Sequence, residues 1–227
     1  NENASAVGYG NNAGGVASSA FGFSNVAKVD YASAFGYSNE ASGLASSAVG
    51  FRNKAASENA SAVGYGNNAN ALAASAVGYN NTAGGVGSST IGYNNTATNE
   101  NASAFGYGNT AGGLASSAFG FSNTASGDNA NAFGYNNIAS GSKSNVFGTG
   151  NTVSGSSSTA VGTANEVAAE NSTAIGNNNT ISSSAENSAA LGNNISISLK
   201  DSVALGNNST ATAINSVTGN SSYTKWA

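Results

Sequence analysis

The stretch Ser61-Ala-Val-Gly-Tyr-Gly-Asn-Asn-Ala-Asn-Ala-Leu-Ala-Ala-Ser-Ala-Val-Gly-Tyr79 contains its opening motif twice, at 61–65 and again at 75–79. The interval is 14 residues, and it extends in both directions. An apolar residue followed by Gly stands at Val7, Phe21, Phe35, Val49, Val63, Val77, Ile91, Phe105, Phe119, Phe133, Phe147, Val161 and Ile175 without a slip. Leu191 follows after 16 residues and Leu205 after 14 more. A fixed short period marks a solenoid, in which each repeat supplies one coil and packs on its neighbours. Disordered chains can share this richness in Gly, Ser, Asn and Ala. They do not keep a bulky apolar residue in phase for repeat after repeat.

With that apolar residue as position 0, further columns emerge. Position −1 is almost always Ala, from Ala6 through Ala62 to Ala204, with Thr90 and Val146 as exceptions. Position +4 is Asn from Asn11 through Asn95 to Asn179. Position +6 is Ala from Ala13 to Ala139, then Val153, Val167, Ile181 and Ile197, and Ala again at Ala211. These columns predict two strands of about four or five residues per coil, joined by Gly-rich or Asn-rich corners. Gly at +1 ends the first strand or marks a close approach of two backbones. Like positions then stack about 4.8 Å apart, so the Asn column forms a ladder of side-chain hydrogen bonds. The prediction is an all-β parallel roll over residues 1–211, with an end cap or neck over 212–227. Asn1 opens in mid-repeat, which suggests a piece of a longer chain.

Composition narrows the function. Charged residues make up 7% of the chain, against about 25% in ordinary soluble domains. His, Cys, Met and Pro are absent, which removes the usual nucleophiles, general bases and soft metal ligands. Six scattered basic residues and a net charge of −4 argue against nucleic-acid binding. Solenoid enzymes of the hexapeptide-repeat acyltransferase kind use a six-residue period and a His. Ice-binding solenoids align Thr-x-Thr, and calcium-binding rolls need an Asp in every coil. None of these patterns is present, so we expect no enzyme, no cofactor and no metal.

Two columns are candidates for partner contact. Position +2 is aromatic in ten successive coils: Tyr9, Phe23, Tyr37, Phe51, Tyr65, Tyr79, Tyr93, Tyr107, Phe121 and Tyr135. It forms either a sticky stripe or a structural stack. Position −5 lies at a corner, yet alternates acids (Glu2, Asp30, Glu58, Glu100, Asp128) with Val16, Leu44, Leu72, Val86 and Leu114. Exposed, these aliphatics make a spaced apolar stripe of the kind that marks interaction sites. Otherwise they fold over a neighbouring Ala or a second subunit. Tyr31 belongs to neither column, and with Lys28 and Asp30 it makes one coil unlike the rest. The two-residue insertion before Leu191 predicts a bulged loop near Ser183–Glu186.

Ala at −1 lies on the strand face opposite position 0, so both faces are apolar and both want cover. One face has the coil's interior. The other needs a second chain, and Ala is small enough to let two backbones approach along it. A homo-oligomer follows, without a subunit count.

The segments Asn171-Ser-Thr-Ala-Ile-Gly176, Asn187-Ser-Ala-Ala-Leu-Gly192 and Asp201-Ser-Val-Ala-Leu-Gly206 resemble the Asn-Ser-Val-Ala-Ile-Gly repeat of YadA-type heads. Those heads belong to the trimeric autotransporter adhesins of Gram-negative bacteria. The likeness covers residues 1 to about 211, although coils before 150 carry Ala-Ser-Ala-Val/Phe-Gly-Tyr instead. The resemblance implies a left-handed parallel β-roll and a homotrimer on the cell surface, beyond the outer membrane. It also implies an anchoring segment outside this sequence and attachment to a host receptor or matrix protein. Collagen, fibronectin, laminin and receptors of the carcinoembryonic-antigen class are the ligands it suggests. Under this resemblance Asn215-Ser-Val-Thr-Gly219 resembles the start of a neck, with Tyr223 and Trp226 placed to plug the last coil.

Overall fold

The computed structural model describes residues 1–213 and 216–218. The chain winds as an all-β parallel solenoid of about fifteen coils, and no helix occurs among the described residues. It divides into two units, Asn1–Ala115 and Ser116–Ala227.

Each coil of the first unit has one long strand, from Ser5–Tyr9 and Ser19–Phe23 to Ser103–Tyr107. Neighbours pair in parallel one repeat apart, with Ser5 opposite Ser19, Val7 opposite Phe21 and Tyr9 opposite Phe23. The second unit repeats this from Ser117–Phe121 to Val203–Asn207. Its register absorbs the two-residue insertion, so that Ile175 still pairs with Leu191. The extra residues form an added turn at Ser183 and Ser184, where the loop was expected. Ala185 is tucked inside, and Ser184 Oγ donates to Ser198 O at 2.8 Å.

The second strand of the coil is only two residues long, as at Asn68–Ala69 and Thr82–Ala83, shorter than the four or five expected. The backbone explains the difference. Positions −4 and +3 carry φ between 51° and 65° in every coil, whatever the residue. Ala17, Ala45, Ser24, Arg52 and Tyr31 all adopt this left-handed conformation. Two such reversals per coil use up the residues a second full strand would need.

The interior also differs from expectation. Ala at −1 points inward and is fully buried, as at Ala20, Ala62 and Ala132. Position 0 points outward, and Val49, Val63, Ile91, Val161 and Ile175 are exposed. Small side chains line the interior of the first unit, Ala at −1 and +6 and Ala or Ser at −3, together with Asn at +4. In the first unit the bulkiest fully buried side chains are the ladder Asn residues, including Asn25, Asn39 and Asn81. In the second unit Val146, Val153, Val167, Ile181, Ile195 and Ile197 join them.

Gly at +1 does not end the strand, which continues through it to +2. Gly78 has φ +118°, and a Cβ built there would lie 2.1 Å from Gly92 O. The column is therefore a close approach of backbones that only Gly permits.

The last coil is closed on one side. Ser216–Thr218 turns back antiparallel onto Thr210–Ala213, with Thr210 opposite Thr218 and Ala211 opposite Val217. That strand occupies an edge that would otherwise offer unpaired backbone groups. Tyr223 and Trp226 lie outside the described residues.

Candidate interaction surfaces

Strand alternation decides what the long strands present. Positions −2, 0 and +2 share the outward face, while −1 faces the interior. The outward face is therefore a row of Ser, a row of Val, Ile, Leu or Phe, and a row of aromatics. Tyr9, Tyr37, Tyr65, Tyr79, Tyr93, Tyr107 and Tyr135 are all exposed. Exposure of position 0 escaped the sequence reading, which counted that residue toward the core. The signal was available: a residue two places from an outward aromatic must itself face outward.

The aromatic column is a continuous stack within the first unit from Tyr9 to Tyr107. Ring centroids lie 5.1 Å apart at Tyr9–Phe23, 4.8 Å at Tyr37–Phe51 and 4.8 Å at Tyr93–Tyr107. The Tyr79 and Tyr93 rings are within 3° of parallel. In the second unit Phe121 stacks on Tyr135 at 5.2 Å. Ring faces are turned to each other, so only ring edges and hydroxyls are offered outward. Position 0 stacks as well where it is Phe, as at Phe21–Phe35 and Phe133–Phe147. Arg52 lies over the Phe51 ring, 5.2 Å from its centroid.

Beyond Tyr135 the +2 column changes character. Asn177 Nδ2 donates to Asn193 Oδ1 at 2.7 Å, and Asn193 Nδ2 to Asn207 Oδ1 at 2.8 Å. A surface amide ladder there takes the place of the ring stack.

The corner at −5 and −4 is the second surface. Val16, Leu44, Leu72, Val86 and Leu114 are exposed, between 37% and 46% of their area. Tyr31 proves to have a column: it stands at −4, among Ala, Asn and Gly, with φ 60° and 62% exposure. The corner backbone is itself a ladder, with Ala17 N donating to Glu2 O, Tyr31 N to Val16 O and Asn59 N to Leu44 O, each at 2.9 Å. Asp30 Oδ1 accepts from Val16 N at 2.8 Å.

Among the described residues, no group of three or more His, Cys, Asp or Glu could hold a metal ion.

A search of curated proteins returned no match. The family model described as "YadA head domain repeat (2 copies)" matches residues 13–39, 30–53, 41–67, 83–109, 111–137, 154–179 and 200–217. Those matches cover more than half of the chain and fall on the coils whose Gly, Asn and Ala columns build the roll, so the chain belongs to the YadA head domain repeat family.

Proposed function

We propose that the chain is the head of a bacterial surface adhesin, wound left-handed and assembled as a homotrimer. It has no chemistry of its own. The observation that carries this reading is the outward face of the long strands, where position 0 and position +2 leave two parallel apolar columns exposed in a single chain. A contiguous apolar face of this kind marks a protein contact. Sister chains packed along position 0 would cover it. Residues 1–211 form the head in this reading, and 212–227 begin the neck toward a stalk and an outer-membrane anchor outside this sequence. The antiparallel strand Ser216–Thr218, which breaks the parallel pattern, supports that boundary. The corner stripe and the Tyr edges remain for a host partner: collagen, fibronectin, laminin or a carcinoembryonic-antigen-type receptor.

The sealed ring faces favour a second reading, a spacer section of a surface fibre without a ligand. Two measurements separate the readings. Light scattering gives the subunit count, with three expected. Binding to a panel of matrix proteins and receptors is then compared for the parent and for a variant with Leu44, Leu72 and Leu114 changed to Asp. A third protein carries the +2 Tyr residues changed to Ser. An adhesin loses a partner in one of the variants, whereas a spacer binds nothing on the panel.

A further inference from the structure

The corner of the first unit between Glu2 and Glu58 carries the longest regular alternation of the −5 column, which breaks at Leu72 and Val86 and resumes at Glu100, Leu114 and Asp128. Reading coil by coil, position −5 is Glu2, Val16, Asp30, Leu44 and Glu58, and all five are exposed. Carboxylates therefore recur every second coil, with an aliphatic residue between each pair. Two coils rise about 9.6 Å, since neighbouring strands are about 4.8 Å apart. Tyr31, beside the middle acid, is more exposed than any aromatic of the +2 file except Tyr9. Its faces are not closed by a stack, because its neighbours at −4 are Ala17 and Ala45.

We propose that this corner is a docking rail for a basic, proline-rich segment of a partner protein in the polyproline II conformation. A polyproline II helix returns every third residue to one face after about 9.3 Å. A Lys or Arg at every third position then meets Glu2, Asp30 and Glu58 in turn, and the accumulated mismatch over the three is under about 1 Å. The proline rings between the cations meet Val16 and Leu44, and Tyr31 supplies the aromatic surface on which such segments pack. An extended strand fits worse. Its side chains alternate, so a face repeats every second residue at about 6.6 Å and falls out of step with the acids. The rail is rigid before binding. Its backbone is tied by the bonds from Ala17 N to Glu2 O, Tyr31 N to Val16 O, Ala45 N to Asp30 O and Asn59 N to Leu44 O. Little ordering is left for the partner to impose. This inference deepens the adhesin reading by naming the chemistry of one partner.

The test is fluorescence anisotropy of the full chain with a labelled Lys-Pro-Pro repeat peptide of about six triplets. A peptide of the same composition with its lysines in one block serves as the comparison. The regular peptide should bind at least about fivefold tighter than the block peptide, and raising salt from about 50 to 500 mM should weaken it about tenfold or more. Asp30→Asn combined with Glu58→Gln should cost about fivefold or more, and Tyr31→Ala about threefold or more. Tyr31→Ala is a safe substitution for the fold, because Ala17, Ala45, Ala73 and Ala115 already occupy the same left-handed position. Equal affinity for the two peptides, or undiminished binding by folded Tyr31→Ala, overturns the proposal. Light scattering on the same samples keeps the two readings apart. An intact trimer that ignores the peptide sinks the rail alone, and a monomer that binds it sinks the trimer alone.

Discussion

The side chain of Asn81 holds three coils together. Its Nδ2 donates to Asn67 Oδ1 at 2.9 Å, to Val77 O at 3.0 Å and to Gly92 O at 2.7 Å. Its Oδ1 accepts from Asn95 N and Asn95 Nδ2, each at 3.0 Å. Both functions of the amide are used, which is why burial at this depth is tolerated. Asn81→Asp removes both amide donors and buries a charge, so we expect about 3 kcal/mol or more of destabilisation in urea unfolding. The ladder ends where the requirement ends: Ile195 N donates to Asn179 Oδ1 at 3.0 Å, and Ile195 itself is apolar. The Asn column was plain in the sequence because only one residue type makes all of these bonds. The left-handed positions were hidden, because Ala, Ser, Arg and Tyr stand there as well as Asn and Gly. Ala45 carries φ 52°, which favours Asn over Ala. Ala45→Asn should stabilise the fold by about 0.5–1 kcal/mol, read as a rise in the urea midpoint at constant slope.

At the level of the long strand, Gly and the aromatic row pull in different ways. The Gly78 carbonyl is turned inward to meet Asn67 Nδ2 at 2.7 Å, a geometry that needs its positive φ. Gly78→Ala forces a Cβ against Gly92 O, and we expect loss of cooperative folding in that region. Hydrogen exchange should show it as protection lost around residues 61–95, about 3 kcal/mol or more at the affected amides. The aromatic row tolerates Phe and Tyr equally: Phe51 stacks at 4.8 Å on Tyr37 and at 4.9 Å on Tyr65, like the all-Tyr pairs beside it. The hydroxyl thus plays no part in the stacking. Tyr79→Phe should leave stability within about 0.5 kcal/mol, while Tyr79→Ser, which breaks two stacked pairs, should cost about 1–3 kcal/mol.

For the whole molecule, each coil touches only its neighbours, so stability is a sum of coil and interface terms. The interior is made of Ala, Gly, Ser and Asn in the first unit, and such residues bury little apolar area. Covering the outward columns is the largest stabilisation still available. Val63→Asp with Val77→Asp, both on that face, should abolish assembly in light scattering and lower the melting temperature. A change in melting temperature without a change in mass would count against packing along position 0.

The sequence by itself determined the period, the parallel register and the columns. A 14-residue repeat stacks like on like, and the Asn and Gly columns admit one arrangement of hydrogen bonds. It also determined that both faces of the long strand are apolar. Which face turns inward was decided only by the tertiary structure. Alternation divides a strand into two sides but assigns neither to the core. The assignment follows the small side chains of the −1, −3 and +6 columns, which pack on one another as the core of the first unit, while the Val, Ile and Phe of position 0 lie outside it. The apolar columns are thereby left on the surface, the face along which the proposed sister chains would pack.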